Sequence, residues 1–133
     1  MPRLVALGLA AALLVLVPGQ ASAAPATDRL AGPNRYATSV AISQSFPAAE
    51  VVYVATGRDF PDALAGGAAA AQLGGPLLLV DGDNIPAVVD KELARLRPDR
   101  IVVLGSHPTV TDGVVAQLGR HAAELDVVDA RAV

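Results

Sequence analysis

Four short apolar runs, Val51–Ala55, Pro76–Val80, Ile101–Leu104 and Leu125–Val128, recur along the chain at similar spacing. Each is rich in Val, Leu or Ile, and none alternates with polar residues. Successive side chains of a strand point to opposite faces, so a strand with one wet face would alternate. Continuous apolar runs instead predict strands covered on both faces, as in a parallel sheet between helices. The intervening segments carry helical signals. Asn34 to Phe46 places Ala37, Val40 and Ala41 on one side before Pro47 stops it. Asp62 to Leu73 follows the first strand and ends at Gly74-Gly75, a common helix C-terminus. Pro86 to Leu96 spaces Val89, Leu93 and Leu96 at helical intervals, and Thr111 can cap a last helix that buries Val114, Val115 and Leu118. The order α-β-α-β-α-β-α-β predicts an α/β fold. It is a three-layer domain with a mainly parallel four-stranded sheet flanked by helices, its crossovers right-handed.

One segment conflicts locally with this pattern. Gly66 and Gly67 fall inside the second helix, where glycine costs about 1 kcal/mol relative to alanine. Close approach of that helix to the sheet, to another helix or to another subunit would account for them.

The first residues do not belong to the alternating pattern. Leu4 to Val17 is an apolar stretch behind Pro2 and Arg3, and Pro18-Gly19-Gln20 and Ala21-Ser22-Ala23 follow it. That order matches a secretory signal peptide over residues 1–23, and the stretch is shorter than the roughly 18 apolar residues of a membrane span. A single domain over residues 24–133 is then expected, secreted to the cell wall or the extracellular space. The chain has no cysteine, so such a domain relies on packing or on association with other copies. The net charge of −3 argues against nucleic acid as a partner. No membrane association is expected after cleavage.

The polar residues that could carry chemistry cluster where strands end. In Val51–Ala65 the first strand breaks at Thr56-Gly57 into Arg58-Asp59-Phe60-Pro61-Asp62, on the edge where open α/β folds bind ligands. Asp59 and Asp62 could be an acid/base pair, but Asp62 stands where a helix cap is expected, and Asp59 is a possible partner of Arg58. Asp81-Gly82-Asp83-Asn84 resembles a cation loop, yet Asp, Gly and Asn are also ordinary turn residues. A metal-dependent hydrolase or phosphotransfer enzyme using Asp59, Asp81 and Asp83 is therefore the alternative reading. Ser106-His107 adjacent in sequence does not make a nucleophile and its base. Gly-x-Ser-x-Gly, Gly-x-Gly-x-x-Gly and Gly-Lys-Ser/Thr are absent, and no cofactor or metal is expected. Arg29, Arg35 and Arg58 remain. They could grip a polyanion through bidentate bonds, or pair with Asp28, Asp59 or Asp62.

Together the segments resemble a known family. Arg29-Leu30-Ala31-Gly32-Pro33-Asn34-Arg35-Tyr36-Ala37-Thr38 is similar to the Arg-x-x-Gly-x-x-Arg-Tyr-x-Thr opening of the cell wall-binding repeat 2 family, the modules that attach surface proteins to Gram-positive cell walls. Ala55 to Ala65 resembles its second block, Gly75 to Val80 its Gly-Pro-Ile-Leu-Leu block, and Ile101 to Gly105 its closing strand. The resemblance implies non-catalytic binding to an anionic wall polymer. It also implies tandem copies that assemble in threes beside an effector region, whereas this chain carries one copy. A homo-oligomer, a trimer foremost, is the corresponding expectation. Leu77, Leu78 and Leu79 match the family's Ile-Leu-Leu anchoring element, with Leu at its first position. The polymer-binding candidates are thus Arg29, Arg35, Arg58, Leu77, Leu78 and Leu79.

Overall fold

A computed structural model of the chain describes residues 26–105 and 107–128. The expected signal peptide and Ser106 lie outside them. The elements run α1 (Arg35–Ser43), β1 (Val51–Thr56), α2 (Phe60–Leu73), β2 (Leu77–Val80), α3 (Ala87–Leu96), β3 (Arg100–Leu104), α4 (Asp112–Leu118) and β4 (Glu124–Val128). The four strands form one sheet in the order β2-β1-β3-β4, with every pairing parallel. The expected three-layer α/β architecture is therefore the observed one.

Sheet order decides which helix covers which face. The chain steps from β1 outward to β2, then back across β1 to β3 and on to β4. Crossovers of one hand in opposite directions must lie on opposite faces. Accordingly, Val52, Val54, Leu78, Val80, Ile101 and Val103 pack on one face against Val40 of α1, Val89, Leu93 and Leu96 of α3, and Val114 and Leu118 of α4. The other face, with Tyr53, Val102, Leu77 and Leu104, is met by α2 through Ala70. The main core thus lies on the three-helix side, where each buried Val or Leu contributes about 1.5–3 kcal/mol.

The thin side explains the two helical glycines. A Cβ at Gly66 would overlap the Cδ1 of Leu104 on β3, whereas one at Gly67 would meet Leu77 at an ordinary 3.8 Å. Close approach to the sheet is thus real at Gly66 and relaxed at Gly67. Gly74 ends α2 in the left-handed conformation (φ 83), and its N–H donates to the Ala70 carbonyl.

β4 departs from the expectation of strands covered on both faces. It is a sheet edge, and both Val127 and Val128 are about half exposed. On the α2 side its Asp126 accepts from Arg100 Nε at 2.6 Å, with Glu124 3.9 Å from the same nitrogen. A cross-strand ion cluster stands there in place of a covering helix.

A buried polar tie joins α1 to α3. Ser43 Oγ donates to Glu92 Oε1 at 2.6 Å, and Arg95 donates to both Glu92 oxygens at 2.9 and 2.7 Å. Arg95 also donates to the Phe46 and Pro47 carbonyls beyond the end of α1. Arg95 and Ser43 hold the Glu92 carboxylate below its ordinary pKa, against the opposing effect of burial.

Candidate functional site

All four strands are parallel, so their carboxyl ends and the loops that follow open on one edge. β1 is followed by Gly57-Arg58-Asp59, β2 by Asp81-Gly82-Asp83-Asn84, and β3 by the loop from Gly105 to Thr111. Because β1 lies between β2 and β3, these three loops meet.

Arg58 ties two of them together. Its Nε pairs with Asp81 Oδ1, and its Nη2 lies 2.8 Å from Asp83 Oδ2. This corrects the expected pairing of Arg58 with Asp59 or Asp62. The loops of neighbouring parallel strands lie side by side, which brings together charges about twenty residues apart in sequence. The hydrogen bond from Arg58 lowers the pKa of Asp81, and the two carboxylates raise that of Arg58. Asn84 Nδ2 donates to Asp81 Oδ2 at 3.2 Å, and the Thr111 N–H donates to the Gly82 carbonyl at 2.9 Å, fastening the third loop.

The expected cap is also corrected. α2 starts at Phe60, so Asp59 is its N-cap, with Oδ1 accepting from the Phe60 N–H at 3.1 Å. Asp62 lies in the first turn, where its charge still suits the helix dipole. The reason is Pro61: proline is tolerated in a helix's first turn, so the helix begins ahead of it rather than behind. Asp59, Asp81 and Asp83 therefore stand in a cap and an ion pair. Among the described residues no three His, Asp or Glu side chains are grouped as metal ligands. His107 is exposed in the β3–α4 loop.

Arg35 and the leucines lie along the β2 side of α2. An apolar groove of about 510 Å³ runs along edge strand β2 between α1 and α2, lined among others by Arg35, Ile42, Phe46, Ala71, Leu77 and Leu79. Leu77 and Leu79 are half-buried, whereas Leu78 is fully buried against the main core. The three leucines thus separate into two on the groove and one behind it, following the strand's two-residue period. Arg35 Nη1 donates to the Gly57 carbonyl, tying the groove's rim to the β1–α2 loop. Arg29 is exposed, with no ion-pair partner among the described residues. Neither Arg29 nor Arg35 pairs with Asp28, Asp59 or Asp62. Ile42 and Phe46 were not among the sequence candidates; Ile42 falls off the inward face of α1, and Phe46 lies in the segment that follows it.

A three-layer parallel α/β module with polar loops at the carboxyl ends of its strands and an apolar groove along β2 is the class that these observations define. The chain belongs to the family described as cell wall binding domain 2 (CWB2), whose model matches residues 29–115. It is 37% identical over 93 residues to an amidase enhancer of Bacillus subtilis, covering 70% of this chain and 12% of that protein. It is 30% identical over 95 residues to the N-acetylmuramoyl-L-alanine amidase LytC of the same species, covering 71% and 19%. Among solved structures it is similar to Cwp6 of Clostridium difficile, with a TM-score of 0.70 and 26% identity over 75% of this chain and 16% of that one. Cwp8 of the same species shares the fold, with a TM-score of 0.69 over 75% of this chain and 18% of that one. The chain is thus a cell wall-binding domain, which points to the cell wall or the extracellular surface. It spans less than a fifth of each of these relatives.

Proposed function

We propose that the domain binds an anionic cell-wall polymer without catalysing any reaction on it, after export by its leader. The observation that carries this reading is the match to a wall-binding family across the segments that build the groove. Arg35 supplies a cationic contact at the groove with Leu77 and Leu79 as its apolar wall, and the exposed Arg29 supplies a second cation. Leu78 acts behind the groove by holding β2 in the core. Arg58 contributes less to an anion grip, because two carboxylates already neutralise it. The metal-dependent enzyme reading loses support, since Asp81 and Asp83 are held by Arg58 and Asp59 caps α2.

Self-association has a candidate surface at the first turns of α2, where Phe60 and Leu64 share one side and are each more than 70% exposed. We propose that further copies cover it, whether as separate chains or as neighbouring repeats. Light scattering across a concentration series tests this. Mass above the monomer that Leu64→Glu abolishes supports it, and a strict monomer at high concentration refutes it.

Co-sedimentation with purified walls tests the binding reading. Retention should weaken as salt rises from 0.15 to 1 M, where the screening length falls from about 8 to 3 Å. It should also drop when anionic polymers are stripped from the walls. Retention indifferent to both treatments would refute an anionic ligand.

A further inference from the structure

We propose that the crevice outside the carboxyl ends of β1 and β3 is a subsite for one neutral, hydroxyl-bearing sugar residue. The chain reverses its direction of sheet growth between these two strands. Crossover helices leave the sheet on opposite sides at such a reversal, which opens a cleft where α/β folds bind ligands. Here it is a hollow of about 290 Å³ lined by Thr56, Arg58, Asp59, Pro108 and Thr109.

The loops leave matched groups at this hollow. Arg58 pairs through Nε and Nη2, so Nη1 remains without a partner among the described residues. Asp59 uses Oδ1 for the helix cap, and its Oδ2 likewise has none. Thr56, only 1% exposed, accepts the Arg58 N–H through Oγ1 at 3.2 Å and retains its own hydroxyl proton. One unpartnered donor and one unpartnered acceptor on the same lining match a group that both donates and accepts. Vicinal hydroxyls do so, whereas a phosphate diester or carboxylate only accepts and an ammonium only donates. Pro108 offers an apolar side to the C–H face of a ring.

Charge points the same way. Arg58 is already neutralised by Asp81 and Asp83, and Asp59 adds a carboxylate to the lining, which disfavours an anionic group. The loops are also shaped to meet closely. A Cβ at Gly82 would lie 2.7 Å from the Thr109 carbonyl, and one at Gly105 would lie 2.7 Å from Asp62 Oδ2 and 2.8 Å from Thr109 Oγ1. Gly105 further adopts φ 107, which disfavours any side chain.

This inference rests on the wall-polymer reading only in making the sugar part of that polymer, and it assigns the neutral residues to this crevice. The test is NMR titration of the ¹⁵N-labelled protein with N-acetylglucosamine, methyl glucoside, glucuronate and glucosamine, each to about 50 mM, enough for millimolar affinities. The amides of Thr56, Arg58 and Thr109 should shift with one or both neutral sugars and not with glucuronate. Arg58→Lys keeps the charge opposite Asp81 and Asp83 but removes the fork, and should weaken the response about tenfold. Asp59→Asn keeps the cap and provides an independent variant if Arg58→Lys does not fold. No shifts with either neutral sugar would overturn the proposal, as would equal binding of glucuronate or tighter binding of glucosamine. Loss of wall retention with intact sugar shifts would refute the polymer reading alone, while wall retention without sugar shifts would refute this one alone.

Discussion

At the scale of single residues, Leu77, Leu78 and Leu79 show how one apolar run can hold two roles. Leu78→Ala empties a fully buried site and should cost about 2–5 kcal/mol, removing binding by unfolding. Leu79→Ala truncates a half-buried side chain on the groove. It should lower wall retention while the melting temperature stays well above that of Leu78→Ala. Equal loss of stability in both would show that the groove has no separate role. The two helical glycines also separate. Gly67→Ala should stabilise the fold by about 0.5–1 kcal/mol, because the helix gains and the added methyl meets Leu77 at 3.8 Å. Gly66→Ala should lose that gain, since its methyl must displace Leu104; thermal melts of the pair decide the ordering.

At the scale of elements, the tie between α1 and α3 is a specific contact built on a buried carboxylate. Its carboxylate is buried, so truncation leaves Ser43 and the inner face of Arg95 without a partner; Glu92→Ala should cost about 1–3 kcal/mol. The pH dependence has a defined sign. Folding holds Glu92 below its ordinary pKa of 4.5, so its stabilisation is fully present above that value. It disappears as pH falls through the lower folded pKa. Urea melts of the native chain should lose stability on acidification below about pH 4.5, and Glu92→Gln should flatten part of that loss. Asp81 adds a change of the same sign, since Arg58 lowers its pKa as well. An acid profile identical in the native chain and in Glu92→Gln would show that the tie is energetically neutral.

At the scale of the whole molecule, the two faces of the sheet are unequally dressed. Three helices cover one face and seal the main core, while α2 alone serves the other. That asymmetry leaves apolar side chains outward on α2 and an open groove along β2. A disulfide-free domain with such surfaces gains stability when they are covered. The melting temperature should therefore rise with protein concentration if copies associate, since binding to the native state alone adds stability by mass action. A melting temperature independent of concentration would place the chain among monomers.

Much of this was legible in the sequence. The apolar runs placed every strand end to within a residue, because a strand buried on both faces cannot alternate; β4, half-open, was found by its run but not its exposure. Helix stops were equally local: Gly74 and Pro98 act through backbone conformation that no distant contact changes. The start of α2 was less legible, as two aspartates flank Pro61 and either could cap; the tolerance of proline in a first turn decided for Asp59. The partners of Arg58 depended on sheet order, because which loops adjoin β1 is set only when β2 and β3 take places on either side of it. By itself, then, the sequence determined the elements, their order and the family. Only the tertiary structure decided which charges neutralise one another and which leucines face outward, since both depend on how separate segments pack.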